Sequence, residues 1–247
     1  MNRPYVLSIA GFDPCGGAGI LADAKTMEAN KVMGLGVISA ITFQHEEKFT
    51  GLQWVPLASL LEQLNILFEK YSIDFVKVGI IESLETLQKL IDFMKGKNPA
   101  IKIIWDPILK ASAGYAFHAA PDRNLFEAIC KNVFLVTPNR DEIGALYSGE
   151  DVLEASRRLA KLSIVYLKGG HDTENPGKDY LLTGKKEFTF KPKVIAPFGK
   201  HGTGCVFSAA LTSNIARDFP LTKAVLRAKN YITYFLLSNK TMLGFHK

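Results

Sequence analysis

Six short β-branched runs, apolar on both faces, recur along the chain at residues 5–10, 37–42, 75–78, 101–105, 133–137 and 164–167. A strand apolar on both faces must be covered on both, which is the situation of a buried parallel sheet and not of a meander with one wet face. Parallel neighbours need crossover connections, and the intervening segments 18–30, 57–70, 84–95, 123–130 and 152–162 carry apolar residues at the three- and four-residue intervals of helices. Later, 180–183 and 187–190 flank Gly184-Lys185-Lys186 as a hairpin, which predicts an antiparallel edge. Helices at 205–217 and 221–237, parted by Asp218-Phe219-Pro220, complete the predicted α/β pattern.

No low-complexity linker, internal repeat or composition break divides the 247 residues, so one domain over 1–247 is expected. A hydrophobic share of 47% against 22% charged residues excludes extensive disorder. No apolar run reaches bilayer-spanning length, and Met1-Asn2-Arg3-Pro4 leads into a strand-like segment and not a signal peptide; the expectation is a cytoplasmic protein without a membrane partner. Cys15, Cys130 and Cys205 form neither a disulfide framework nor a zinc pattern, so reduced thiols are expected. The net charge of +6 comes with scattered lysines and no aromatic-interleaved basic stripe, so nucleic acid is not an expected partner.

Ligands of open parallel sheets bind beyond the carboxyl ends of the strands, where βα loops and helix N-termini converge. The polar and glycine-bearing segments lie at those ends: Gly11-Phe12-Asp13-Pro14-Cys15-Gly16-Gly17-Ala18-Gly19, Gln44-His45, Gly79, Asp106-Pro107, Thr137-Pro138-Asn139-Arg140-Asp141-Glu142 and Lys168-Gly169-Gly170-His171. The first cluster lacks the G-x-G-x-x-G spacing of a dinucleotide fingerprint, and the Walker pattern is absent, so a nucleotide would be held by another scheme. Asp23, one turn into the first helix, either faces a ligand or complements the helix dipole. Asp106, Asn139 and Glu142 offer oxygen donors that suit Mg²⁺ carried with nucleotide phosphates. Singly they read as a turn initiator and a helix cap; together, at successive strand ends, they point to a site. Lys168 either neutralises phosphate or is a surface lysine at a turn. His171 and His201 lie in loops but lack paired-histidine metal spacing, Cys130 reads as a core residue, and Cys15 stays open.

His201-Gly202-Thr203-Gly204-Cys205 carries the strongest chemical signal. A glycine-rich turn opening into a helix presents unpaired N–H groups and the positive dipole end, which suits phosphate or a developing oxyanion. The same field favours a Cys205 thiolate over a thiol, and therefore a base beside an anion site. The alternative is a small residue packing where a helix starts close to a sheet.

Together, the Gly11 to Asp23 segment, Gln44, Lys77-Val78-Gly79, Asp106-Pro107, Thr137-Pro138-Asn139 with Glu142, Lys168-Gly169-Gly170-His171 and the 201–205 turn resemble hydroxymethylpyrimidine/phosphomethylpyrimidine kinases of thiamine biosynthesis, a branch of the ribokinase-like superfamily. The resemblance implies a three-layer α-β-α sandwich with a mostly parallel sheet, ATP and Mg²⁺ as cofactors, and a homodimer. It also implies phosphorylation of 4-amino-5-hydroxymethyl-2-methylpyrimidine and then of its monophosphate. Carried over, Gln44 binds the pyrimidine, Asp23 orients it, and Gly11 and Ile80 line the pocket. Cys205 is the base, Gly202, Thr203 and Gly204 form the anion hole, Asn139, Asp106 and Lys168 meet the nucleotide, and Glu142 with Asp106 organises the metal.

The chain departs from the family pattern at His45-Glu46-Glu47-Lys48 after Gln44, at Lys110-Ala111-Ser112-Ala113-Gly114, and in ending at Lys247, which puts the second phosphorylation in more question than the first. The rival readings are a pyridoxal-type kinase, which shares the fold and the Gly-Thr-Gly-Cys turn, and a non-catalytic pyrimidine-binding module.

Overall fold

The computed structural model describes residues 3–109, 122–170, 175–197 and 199–247. Lys110 to Gly114 and His171, singled out in the sequence, lie outside them. In chain order, β1 (Tyr5–Phe12), α1 (Gly19–Ala29), β2 (Met33–His45), β3 (Lys48–Trp54), α2 (Leu57–Lys70), β4 (Phe75–Val78), α3 (Leu84–Lys97) and β5 (Lys102–Trp105) build the first half. The second half comprises α4 (Arg123–Cys130), β6 (Leu135–Val136), α5 (Arg140–Leu146), α6 (Val152–Leu159), β7 (Ile164–Leu167), β8 (Asp179–Leu182), β9 (Glu187–Phe190), α7 (Thr203–Ala216) and α8 (Leu221–Leu237).

Among the described residues the strands form one sheet in the order β3-β2-β1-β4-β5-β6-β7-β8-β9. The six central strands β2, β1, β4, β5, β6 and β7 pair in parallel, whereas β3 at one edge and the β8-β9 hairpin at the other are joined by antiparallel pairing. Side-chain alternation sorts each strand between two cores. Leu7, Ile9, Val76, Val78, Ile103 and Val165 pack toward α2, α3, α4 and α6, while Ile104, Leu135 and Tyr166 pack against Phe207, Ala210 and Leu211 of α7. The helices α7 and α8 pack on each other, and α1 packs on α7. The result is the expected three-layer α-β-α sandwich.

Helix α7 is apolar on nearly every side because it lies between the sheet and α8, and Cys205 through Ala216 are all buried. Its polar side chains turn back on their own helix: Ser208, Thr212, Ser213 and Asn214 donate to the carbonyls four residues earlier.

The sequence reading differs from the structure in four places. The second strand is 13 residues long and continues past 42 into a hairpin with β3, a strand not anticipated. The turn Glu46-Glu47 between His45 and Lys48 has no Asn-Gly or Asp-Gly signal, and β3 alternates between partly buried and exposed side chains instead of being apolar on both faces. Helix α5 occupies what reads as a loop after the fifth strand, which itself shortens to two paired residues. Helix α6 ends at Leu159. Finally, α7 begins at Thr203 and not Cys205, because Gly202 at φ 72° forms its N-cap. The cysteine therefore lies inside the first helical turn.

Candidate active site

The βα loops surround one large cavity of about 1020 Å³ at the carboxyl ends of the strands. One wall is made by two glycine turns packed backbone to backbone. Gly202 adopts a left-handed conformation, and a Cβ there would strike the Gly17 carbonyl; Gly19, at φ 57°, would likewise strike Gly11. A buried polar cluster pins the turns together. Asp13 Oδ2 accepts from the Ala18 amide at 2.8 Å and lies 2.9 Å from His201 Nε2, while Asp13 Oδ1 accepts from the Cys15 amide at 3.1 Å. Burial raises the Asp13 pKa, but hydrogen bonds from His201, Cys15 and Ala18 outweigh it and hold the carboxyl below its ordinary value. Asp13, Cys15 and His201 also form a compact set of metal-ligand types, with ligand atoms within 4.8 Å of one another, a juxtaposition invisible in their spacing along the chain.

Above this wall, α7 presents Cys205 at its third position. The expected thiolate does not follow from the environment. Burial pushes the Cys205 thiol above its ordinary pKa, Lys77 pulls it down, Asp23 and Asp106 push it up, and the Gly19 amide favours the charged form. Burial, aided by the two carboxylates, outweighs Lys77 and the Gly19 amide, so the thiol form is favoured.

The ends of β5 and β7 meet through Asp106 and Lys168. Asp106 is fully buried; its Oδ1 accepts from Lys168 Nζ at 2.7 Å and from Thr137 Oγ1 at 3.0 Å, and its Oδ2 accepts from Ser208 Oγ at 3.4 Å. Burial lowers the Lys168 pKa, yet Asp106 and Glu142 more than offset this, so the ammonium is held charged. Asn139 and Glu142 form a capping box on α5: Asn139 Oδ1 accepts from the Glu142 amide at 2.8 Å, and Glu142 Oε2 accepts from the Asn139 amide at 2.7 Å. Burial raises the Glu142 pKa to about 7 against the opposing influence of Lys168.

Gln44, at the end of β2, marks the other side of the cavity. Its Nε2 donates to Thr42 Oγ1 at 3.0 Å, and Thr42 donates to the Phe12 carbonyl at 2.8 Å, which orders the amide beside Gly11 and Ile80. At the far end Asp179 accepts from the Gly169 amide at 2.7 Å, from Tyr166 Oη at 2.6 Å and from Lys229 Nζ. This network holds the turn after Lys168.

The family profile described as phosphomethylpyrimidine kinase matches residues 13–246. The chain belongs to the phosphomethylpyrimidine kinase family. A hydroxymethylpyrimidine/phosphomethylpyrimidine kinase of Aquifex aeolicus is 33% identical over 244 residues, covering 96% of this chain and 95% of the relative. The crystal structure of a phosphomethylpyrimidine kinase from Clostridium difficile is 28% identical, with TM-score 0.79 over 94% of this chain and 98% of that one. The structure of a Staphylococcus aureus pyridoxal kinase with pyridoxal superposes with TM-score 0.85 over 100% and 94% of the two chains but is 23% identical, so the likeness is one of ribokinase-like fold.

On this phosphomethylpyrimidine kinase fold, Gly11, Gln44, Ile80, Asp106, Asn139, Glu142, Lys168, Gly202, Thr203, Gly204 and Cys205 all line the one cavity. Asp23 does not. It is fully buried behind the wall, where its Oδ2 accepts from Lys77 Nζ at 2.8 Å and Ser8 Oγ at 2.5 Å. Lys77 lines the cavity in its place. The sequence does contain a signal for it, a single lysine inside the apolar strand Phe75-Val76-Lys77-Val78, although only strand register reveals the partner. Asp179, Tyr166 and Lys229 give no comparable signal, since each is an ordinary residue of its own element.

The donor set on the nucleotide side is oxygen-only, which fits a hard cation. The Asp106 oxygens are already engaged by Lys168, Thr137 and Ser208, so a divalent cation bound here would rely on the remaining acceptor capacity of Glu142.

Proposed function

We propose that this chain transfers the γ-phosphoryl group of ATP to the hydroxymethyl group of 4-amino-5-hydroxymethyl-2-methylpyrimidine, and then phosphorylates the resulting monophosphate. The observation that carries the reading is that Gln44 and Cys205 face one cavity whose third side is Lys168 with its Asp106 anchor. Gln44 has the paired donor and acceptor of an amide, which match an aminopyrimidine edge. Cys205, once ionised, takes the proton of the substrate hydroxyl. As that O–H bond breaks and an S–H bond forms, the alkoxide oxygen bonds to the γ-phosphorus and the bond to the β-phosphate oxygen breaks, leaving ADP. The Thr203, Gly204 and Cys205 amides of the first turn of α7 stabilise the transferring phosphoryl group, and Lys168 neutralises charge beside it. Magnesium, held at Glu142, would supply charge neutralisation for the nucleotide phosphates.

We also assign the protein to the cytoplasm; among the described residues no helix is long and apolar enough to cross a membrane. A homodimer is supported by the large apolar side chains Met33, Ile41 and Phe43, all about half exposed on β2. Incubation with Mg-ATP and the pyrimidine alcohol, with mono- and diphosphate products followed separately and pyridoxal assayed in parallel, tests the reading. Formation of the monophosphate is expected. A much higher kcat/KM for pyridoxal would replace it with the pyridoxal-type reading, and the absence of any product would support a binding module.

A further inference from the structure

We propose that Lys77 and Asp23 act as a buried electrostatic counterweight to Cys205, in which Lys77 provides the positive charge against which the sulfur ionises and Asp23 sets how much of that charge the sulfur receives. The proposal rests on Cys205 as the base and gives that base positioning residues outside the cavity lining loops. Ser8 of β1 and Lys77 of β4 are register partners. Strand alternation sends Val76 and Val78 to the opposite core and turns Lys77 toward α1 and α7. There Lys77 Nζ lies 2.8 Å from Asp23 Oδ2, with both side chains wholly buried, and Ser8 Oγ donates to the same oxygen.

As a packing device this pair is a poor solution. Two charges taken out of water lose their hydration before their attraction is counted, and apolar residues would fill the same volume without that cost. The pair is also incompletely satisfied, since Asp23 Oδ1 is buried without a hydrogen-bond partner. What the arrangement does place is an ammonium at the wall of the cavity that Cys205 also lines; a Cβ on Gly79 would stand 3.0 Å from it. The charged groups acting on the sulfur are Lys77 from β4, Asp23 from α1, Asp106 from the end of β5 and Lys168 from the end of β7. Lys168 divides its charge between Asp106 at 2.7 Å and Glu142, whereas Lys77 is held by the single carboxylate of Asp23. Burial works against the Lys77 ammonium, but Asp23, Cys205 and Asp106 more than offset it and keep it charged. Helix α7, which carries Cys205, packs on β4, which carries Lys77, and the ammonium acts against burial to lower the thiol's pKa.

The test exploits sign. In full-length protein, the Cys205 thiol is titrated by thiolate ultraviolet absorbance as a difference against the same variant carrying Cys205→Ala, alongside the pH profile of kcat. Lys77→Met is expected to move the thiol titration upward and Asp23→Asn to move it downward, each by about one pH unit or more. The rising limb of kcat should follow in each case. A merely structural role moves both variants the same way or neither, and that result in variants with native circular dichroism overturns the proposal. Opposite thiol shifts that kcat does not follow would uphold the counterweight and refute Cys205 as the base. If Lys77→Met does not fold, Asp23→Asn decides alone: a downward shift supports the counterweight, and an unchanged or upward one defeats it.

Discussion

Cys205 combines a helix N-terminal position with nearly complete burial, and the two act in opposite directions on its ionisation. Cys205→Ala is expected to lower kcat by at least about a hundredfold while leaving pyrimidine binding largely intact, the scale on which a general base contributes. Equilibrium binding and single-turnover measurements separate the two effects. Gly202 is equally constrained for a different reason: it combines a left-handed backbone with no room for a Cβ against Gly17. Gly202→Ala should cost ~1–3 kcal/mol from backbone conformation alone, with the collision adding to it, read as a lower urea midpoint. Both residues are legible in the sequence because the property that matters, a glycine turn feeding a helix, is local. Asp23 is legible only as an acid near a glycine loop. That it turns away from the cavity to meet Lys77 depends on how α1 packs over β1 and β4, which no local pattern encodes.

The short helix α5 shows the same division at the level of an element. Asn139 and Glu142 are visible as a possible cap and as a possible ligand set, and the structure realises the cap while burying the carboxylate near Lys168. A carboxyl with pKa about 7 in the fold and about 4.5 when unfolded binds its proton more tightly in the native state. Its stabilising contribution is complete below pH 4.5 and is lost as pH rises through 7. Glu142→Gln keeps a neutral partner at the third helical position and removes this titration. Relative to the wild type, its unfolding free energy should therefore gain by up to ~3 kcal/mol between acidic and mildly alkaline pH, measured by urea unfolding across that range. The strand β3 was hidden for a related reason. Half-buried antiparallel edges alternate weakly, and its turn carries no glycine, so only pairing with β2 identifies it.

At the scale of the whole molecule, β2 extends beyond the layer that covers its neighbours and leaves Ile41 and Phe43 about half exposed. Phe43→Glu is expected to shift a homodimer to monomer in sedimentation velocity, while circular dichroism stays unchanged. The sequence by itself determined the layered α/β architecture, the mostly parallel sheet, and the loops that meet at its carboxyl edge. These follow from periodicity and from the handful of residues that suit tight turns, both of which act over a few neighbours. Only the tertiary structure decided which charged groups share the interior. It paired Lys77 with Asp23 across 54 residues and Lys168 with Asp106 across 62, and it set burial against the helix field at Cys205. Desolvation and charge pairing are properties of a position in space, and they become defined only when distant strands and helices enclose it.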